Sequence, residues 1–210
     1  MPKGGLGGAY GTDITVNYSA VNGIDKRSTS DSLTTRIGYE STFLRAGKTV
    51  YYRDLNVELH RRLTPRWKLN AMYVYLTYNK DVVQGLAGYG TINANIAILD
   101  VTHKFTTKHS LRVEAQTLQT KQDLGSWVMG LLEYTYSPHW FITVYDQYNY
   151  ANKAVKQRIH YVGGQAGYIG GTTRIALGYG RQRAGIVCVG GVCRFVPASN
   201  GASLSITSSF

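Results

Sequence analysis

Two cysteines are the residues of this chain whose type and spacing most directly suggest chemistry. Cys188 and Cys193 are the only cysteines among 210 residues, and Gly190 and Gly191 lie between them. The glycines would let the chain fold back, so that a disulfide could close this segment in an oxidising compartment. The alternative is a pair of free thiols. Two cysteines without further ligands at a suitable spacing do not predict a metal site.

The other residue types that catalyse reactions are scattered along the chain. The five histidines are His60, His103, His109, His139 and His160. They form no HExxH or comparable pair, and no local motif marks a serine, histidine or aspartate as part of a nucleophilic site. The sequence therefore predicts no catalytic, cofactor-binding or metal-binding residue, and we expect the protein not to be an enzyme.

Charged and apolar residues alternate along several segments, which places them on opposite faces of β-strands. In segment 49–63, for example, Leu55, Val57 and Leu59 share one face. Seven charged residues are predicted to form a salt-bridged network on the other face, in the interior of a barrel: Asp54, Glu58, Arg62, Asp100, Arg112, Glu114 and Glu133. Mutual pairing is expected because an unpaired charge in this interior would cost several kcal/mol.

About ten segments show this strand-like pattern, and short turns alternate with longer loops between them. The short turns lie at 64–66, 107–109, 137–139 and 170–171, and the longer loops at 20–48, 81–90, 122–126, 151–158 and 184–200. This alternation is typical of a transmembrane antiparallel up-and-down β-barrel, with short periplasmic turns and longer extracellular loops. We therefore predict an all-β transmembrane barrel of about ten strands, forming a single domain over residues 1–210.

The composition is compatible with such a barrel. No apolar run reaches the roughly 18 residues of a transmembrane helix, and the chain contains 17 tyrosines. Trp67 and Trp140 follow short turns and Trp127 follows a longer loop, which predicts aromatic girdles at both membrane interfaces. A soluble β-barrel binding module is an alternative, but the interior of a soluble barrel would be its apolar side.

The formal net charge of +11 at pH 7 raises the question of which anionic partners the protein meets. Basic residues are spread along the chain. They form no dense tract, and no helical nucleic-acid-binding motif is recognisable, so we expect no nucleic acid partner. Charges in the loops are instead expected to meet outer-membrane lipid and lipopolysaccharide. Ions or small solutes are candidates for passage through the lumen.

The last ten residues form an amphipathic strand that ends in an aromatic residue. In segment 201–210, Leu204, Ile206 and Phe210 fall on one face, whereas the other face carries serine and threonine. This ending resembles the C-terminal signal of bacterial outer-membrane β-barrels. The resemblance implies that these three residues are an assembly signal and that the barrel assembly machinery is a partner.

Five tracts of the chain carry a more specific resemblance. They are YYRDLNVEL (51–59), LEYTYSPHWF (132–141), YDQYNY (145–150), RIHY (158–161) and, most specifically, the tract 177–210. Together they resemble the C-terminal half of a Bacteroidota family of outer-membrane proteins of unknown function. The resemblance implies an outer-membrane barrel with no assigned activity. Because members of that family are longer, these strands either close on themselves or form one half of a larger barrel.

The sequence thus favours an outer-membrane β-barrel of a Gram-negative bacterium, with a structural or pore-like role. The segment after Met1 is glycine-rich and lacks the apolar core of a signal peptide, so we expect a mature form or a fragment. Two other functions stay open: an outer-membrane hydrolase or acyltransferase, and a soluble β-barrel binding module.

Deletion of Phe210 is expected to impair assembly in the outer membrane while leaving expression intact, because the C-terminal signal would lose its terminal aromatic residue. The heat-modifiable fraction of the protein in isolated membranes measures assembly. An unchanged heat-modifiable fraction in the deletion variant would contradict this expectation.

Overall fold

The computed structural model describes residues 10–23, 26–27, 38–39, 49–85, 87–183, 185–189 and 192–209. Side chains are described in the same ranges apart from 26–27, 38–39, 185–189 and 192–196. Within these residues the fold is all-β, as the alternation of the sequence predicts. Its main element is one antiparallel sheet of ten strands.

Strands make up most of the described chain. In chain order they are β1 (Thr12–Asn22), β2 (Lys26–Arg27), β3 (Gly38–Tyr39), β4 (Val50–Arg62), β5 (Trp67–Asn79), β6 (Thr91–Lys104), β7 (His109–Gln119), β8 (Trp127–Tyr136), β9 (Trp140–Asn149), β10 (His160–Gly170), β11 (Thr173–Gln182), β12 (Gly185–Val189), β13 (Val192–Val196) and β14 (Ser199–Ser208). The main sheet has the order β1-β4-β5-β6-β7-β8-β9-β10-β11-β14. The pairs β2–β3 and β12–β13 form two separate two-stranded antiparallel sheets.

The predicted strand number and the alternation of short and long connections are both confirmed. Successive strands of the main sheet are neighbours and run antiparallel, which is an up-and-down topology. The end of the sheet at which two- to four-residue turns join the strands is called the short-turn end, and the opposite end is called the loop end. Each of the predicted loops 20–48 and 184–200 contains one of the separate strand pairs, β2–β3 and β12–β13.

Short helical segments occur at the loop end. Helix α1 (Lys80–Gln84) begins one residue before the predicted loop 81–90, and the Asn79 side chain caps it by accepting the Val82 N–H at 3.2 Å. Gly85 ends the helix with φ at +65°, a backbone conformation that favours glycine. Residues Val155–Gln157 form one 3-10 turn. No helix among the described residues is long and apolar enough to cross a membrane.

Two neighbouring short turns have the same threonine-based geometry. The Thr64 hydroxyl accepts the Trp67 N–H at 3.1 Å, and the Thr106 hydroxyl accepts the His109 N–H at 3.1 Å. These bonds supply the donors of a tight turn with local acceptors. As a result the second turn is centred on Thr106 and lies slightly before the predicted 107–109.

The two faces of the sheet differ in burial. The face that carries Asp100, Glu114 and Thr143 contains the buried side chains of the strands and is called the inner face. The opposite face, which carries Leu99 and Leu132, is called the outer face, and its large apolar side chains are exposed. Because no other described layer covers the inner face, its burial implies that the sheet curls towards it.

Closure of this sheet into a barrel was an expectation that the structure does not confirm. Within the described residues, β1 and β14 each pair with a single neighbour, so the sheet has two open edges. Both faces of these two strands are exposed along almost their whole length. Alternation along a strand specifies which side chains share a face, whereas closure depends on the tilt and shear of the complete sheet.

Aromatic side chains on β9 pack over glycines of β10 on the inner face. The Phe141 ring lies against Gly167, and the Arg174 guanidinium lies 4.3 Å from the centroid of the same ring. A Cβ atom at residue 167 would meet this ring and would also lie 2.6 Å from the Ile175 carbonyl oxygen. Glycine is therefore required here by the close approach of a ring and a neighbouring strand.

The variant Gly167→Ala is expected to lower the free energy of unfolding by about 1–3 kcal/mol, because the added methyl group overpacks a closed site. Gly130→Ala is the matched control, since a Cβ atom there meets nothing within 4 Å. Urea titration measures both variants. Equal stability of the two would show that the ring does not constrain this position.

Candidate functional site: a polar network on the inner face

An ion-pair cluster lies at the centre of the inner face. Asp100 on β6 and Glu114 on β7 are direct cross-strand neighbours, and each is only 8% exposed. Two adjacent buried carboxylates would repel each other without a cation. Arg112 supplies it: its Nε lies 2.5 Å from Asp100 Oδ2, and its Nη2 donates to Glu114. Gln116 also donates to Glu114.

Hydrogen bonds extend this cluster across two further strands. Asn70 on β5 donates to Asp100 at 3.5 Å, and His60 on β4 lies 2.9 Å from the Asn70 side-chain oxygen. Glu58 lies 3.4 Å from the other His60 nitrogen and accepts from Asn56 at 3.0 Å. The polar network therefore runs from β4 to β7, because His60, Asn70 and Asp100 are cross-strand neighbours in the register.

The structure brings together four of the seven charged residues that the sequence assigns to the interior. Glu58, Asp100, Arg112 and Glu114 belong to the network described above. Glu133 lies opposite Arg112 in the register and accepts from Thr143 at 3.2 Å.

Asp54 and Arg62 also lie on the inner face but take no part in the described network. The two residues lie towards opposite ends of β4. Arg62 donates instead to the Pro65 carbonyl oxygen at 3.3 Å.

Sequence reasoning assigned only charged residues to the network. Asn70 lies in segment 67–80, where apolar residues occur on both faces and hide the alternation. His60 was considered as one of five scattered histidines and was not assigned a partner. The spacing of Glu58 and His60, two residues apart on one strand, was the available signal that both side chains share a face.

The predicted tryptophans fall on different faces. Trp67 and Trp140 lie on the outer face at the short-turn end. The ring centroids of Trp67 and His103 are 4.1 Å apart, and those of Trp140 and Tyr168 are 4.9 Å apart. Trp127 lies on the inner face at the loop end. Only the short-turn end therefore has predicted tryptophans on its outer face.

The ring of Trp127 contacts a cation. The Arg183 guanidinium lies 4.5 Å from the ring centroid. Desolvation in this position lowers the pKa of Arg183, and the Tyr161 and Asp123 side chains act in the opposite direction. Since arginine remains protonated at every accessible pH, the contact is a stable cation–π interaction.

The outer face has an exposed apolar band that crosses all ten strands of the sheet. Each strand contributes at least one exposed large apolar side chain, and one example from each is Val16, Leu55, Tyr73, Leu99, Val113, Leu132, Val144, Val162, Leu177 and Leu204. Asp146 is an exception in the loop-proximal half of β9, where it pairs with His160 at 2.5 Å. Exposed apolar patches of this extent mark surfaces that contact protein or lipid.

The predicted assembly signal is partly described. Leu204 and Ile206 lie on the outer face of β14, opposite Leu177 and Ile175 of β11, and are 66% and 64% exposed. Phe210 lies outside the described residues.

The backbone register of the β12–β13 pair places Cys188 directly opposite Cys193. Directly opposed residues of an antiparallel pair have Cα atoms about 4.5–5.5 Å apart, which lies within the range that a disulfide spans. The two side chains lie outside those described, so the disulfide stays a prediction.

The described side chains form no group of three or more histidine, cysteine, aspartate or glutamate residues that could hold a metal ion. Most donors and acceptors of the polar network are paired with one another, and the buried Asn56 Oδ1 is one acceptor without a hydrogen-bond partner. Such an arrangement stabilises a polar interior and holds neighbouring strands in register.

Comparison with known proteins gives a family but no activity. A sequence model for a family of unknown function, DUF6029, matches residues 1–210. The chain belongs to this family. Searches of curated proteins and of solved structures each find no match. Membership of DUF6029 confirms the predicted membership of a family of unknown function, and the family assigns no roles to residues.

Replacement of Arg112 by glutamine is expected to lower the free energy of unfolding of this DUF6029 protein by about 3 kcal/mol. The reason is that Asp100 and Glu114 lose their cation. Removal of one partner of a buried ion pair costs about 3–5 kcal/mol, and the lower end of this range applies because Arg112 is partly exposed. Arg181→Gln, which removes an exposed cation over the Tyr161 ring, is the control and should cost less than about 1 kcal/mol.

A triple variant distinguishes charge imbalance from loss of packing. Arg112→Gln combined with Asp100→Asn and Glu114→Gln should recover most of the stability, measured by the same urea titration. If the triple variant is no more stable than Arg112→Gln, the carboxylates are not the source of the loss.

Proposed function

We propose that this chain forms the wall of a transmembrane β-barrel in the outer membrane of a Gram-negative bacterium, with a non-enzymatic structural or pore-like role. The observation that carries the proposal is the exposed apolar band on the outer face of all ten strands. A soluble sheet would turn this face inward, because burial of apolar side chains is the main driving force of folding in water.

The dimensions of the strands support the proposal. The ten strands of the main sheet contain 10 to 14 residues each. Transmembrane β-strands need about 9–11 residues at a tilt of about 45°. The lipid-facing apolar band of an outer-membrane barrel is about 25 Å tall, which strands of this length can provide.

The distribution of polar groups also supports it. In membrane barrels the apolar side chains face lipid and the interior is polar. Here the charged network of Asp100, Arg112 and Glu114 lies on the inner face. Trp67, Trp140 and Tyr168 lie on the outer face at the short-turn end, where a membrane interface would be expected.

Membrane insertion requires that the two open edges be paired, since hydrocarbon offers no partner to backbone N–H and C=O groups. In a sheet of ten antiparallel strands, β1 and β14 run in opposite directions and can pair in the antiparallel sense. Their faces match, because Ile14 and Val16 lie on the outer face of β1 as Leu204 and Ile206 do on β14. Pairing with strands outside this chain would satisfy the same requirement.

The proposed partners follow from this location. The outer face would contact outer-membrane lipid, and cationic loops would contact lipopolysaccharide. The barrel assembly machinery would recognise the C-terminal strand. The resemblance of several tracts to Bacteroidota outer-membrane proteins supports this compartment.

Ion conductance across planar bilayers distinguishes a pore from a structural wall.

Two neighbouring substitutions on β14 test the membrane proposal. Leu204 and Ser205 are both exposed but lie on opposite faces. Leu204→Arg is expected to destabilise the protein in lipid vesicles by about 2–4 kcal/mol, because the charge would face hydrocarbon. Ser205→Arg, the matched control, should insert like the unmodified protein.

Refolding into vesicles without assembly proteins separates insertion from recognition of the C-terminal signal. Flotation with the vesicles and protection from protease measure insertion. A monomeric chain that stays folded in buffer without detergent, with equal behaviour of both variants, would contradict the proposal and favour a soluble binding module.

A further inference from the structure

A cleft of about 370 Å³ opens at the short-turn end, beside the hairpin formed by β4 and β5. Its lining is strongly basic. The basic residues are Arg61, Arg62, Arg66, Lys68 and Lys104, and the lining contains one carboxylate, Asp13. This surface is called the basic cleft.

The cations of the basic cleft are not neutralised by the described part of the chain. None of the five lies within 4 Å of a carboxylate oxygen there, Asp13 included. Arg62 and Lys68 are direct cross-strand neighbours on the inner face. Like charges in directly opposed positions destabilise a sheet, so this arrangement is unfavourable unless something else compensates it.

Other cations along the sheet have a local partner. Arg112 is paired with two carboxylates, at the loop end Lys80 lies 2.8 Å from Asp123, and the Arg174 guanidinium lies 4.3 Å from the Phe141 ring centroid. The basic cleft differs in that five cations line one cleft where three neighbouring strands end, with no carboxylate oxygen of the described residues within 4 Å of them.

The backbone holds these cations in place. Lys104 N–H donates to the Arg66 carbonyl oxygen at 2.8 Å, which joins the end of β6 to the β4–β5 turn. The Arg62 guanidinium lies 5.8 Å from the Tyr10 ring centroid, and Trp67 forms another part of the lining. The strand ends thus present guanidinium and ammonium groups to one cleft with aromatic walls.

We propose that the basic cleft binds a ligand bearing phosphate groups. A guanidinium presents a planar fork of donors that matches phosphate oxygens, and lysine adds a compact positive charge. A phosphate with two or more negative charges would compensate the repulsion between Arg62 and Lys68. Two sources share this chemistry, the headgroup of an anionic phospholipid and a free phosphorylated solute.

The test is calorimetric titration of the full chain, in buffer or in maltoside micelles, at constant ionic strength set with sodium chloride. One arm uses inorganic pyrophosphate and the other uses short-chain phosphatidylglycerol. The variant Arg62→Gln with Lys68→Gln is expected to raise the Kd about tenfold or more, because two charge-assisted contacts are lost. Thermal unfolding shows that the variant is folded.

A charge-matched variant serves as the control. Lys153→Gln with Lys156→Gln removes the same charge from the loop end and should leave the Kd unchanged. Saturable binding of pyrophosphate identifies a free phosphorylated solute, and saturable binding of the lipid alone identifies a headgroup. Absence of saturable binding in both arms, or an equal loss in both variants, would overturn the proposal. The result does not depend on membrane insertion.

Discussion

The structure depends on one constraint, the preservation of a single strand register across ten neighbouring strands. Side chains alternate between faces along each strand, so a slip of one residue would exchange the inner and outer sets of that strand. In the observed register, Leu99 and Leu132 remain on the outer face while Asp100 and Glu114 remain inside. An exposed apolar outer face and an inner face that holds the charged network are possible together because neighbouring strands keep this register along most of their length.

The polar network contributes to this specification. A slip of β6 against β7 would separate Arg112 from Asp100 and would leave buried carboxylates without a cation. Buried ion pairs add little net stability compared with apolar packing, but breaking one is costly. The network therefore disfavours wrong registers more than it stabilises the correct one. The contact of the Phe141 ring with Gly167 also disfavours wrong registers, because the ring fits only opposite a glycine.

Charge is organised along the strands as well as between the faces. In the middle of the inner face the cations have carboxylate partners, whereas at the short-turn end Arg62 and Lys68 face each other without one. The first arrangement is self-contained and stabilises the interior. The second leaves positive charge available to an external anion. The same residue types thus have different consequences according to the neighbours that the sheet gives them.

The sequence by itself determined the strands, their faces and the alternation of turns and loops. These features depend on side chains a few residues apart, and residues such as Leu55 and Glu58 show their faces through alternation alone. It also identified Asp100, Arg112 and Glu114 as inward-facing charges. Only the tertiary structure decided which polar groups meet, because Asn70 and His60 join the network through cross-strand register. The lack of a carboxylate partner for Arg62 and the open edges of β1 and β14 were likewise decided by strand pairing and sheet curvature, which act between residues distant in the chain.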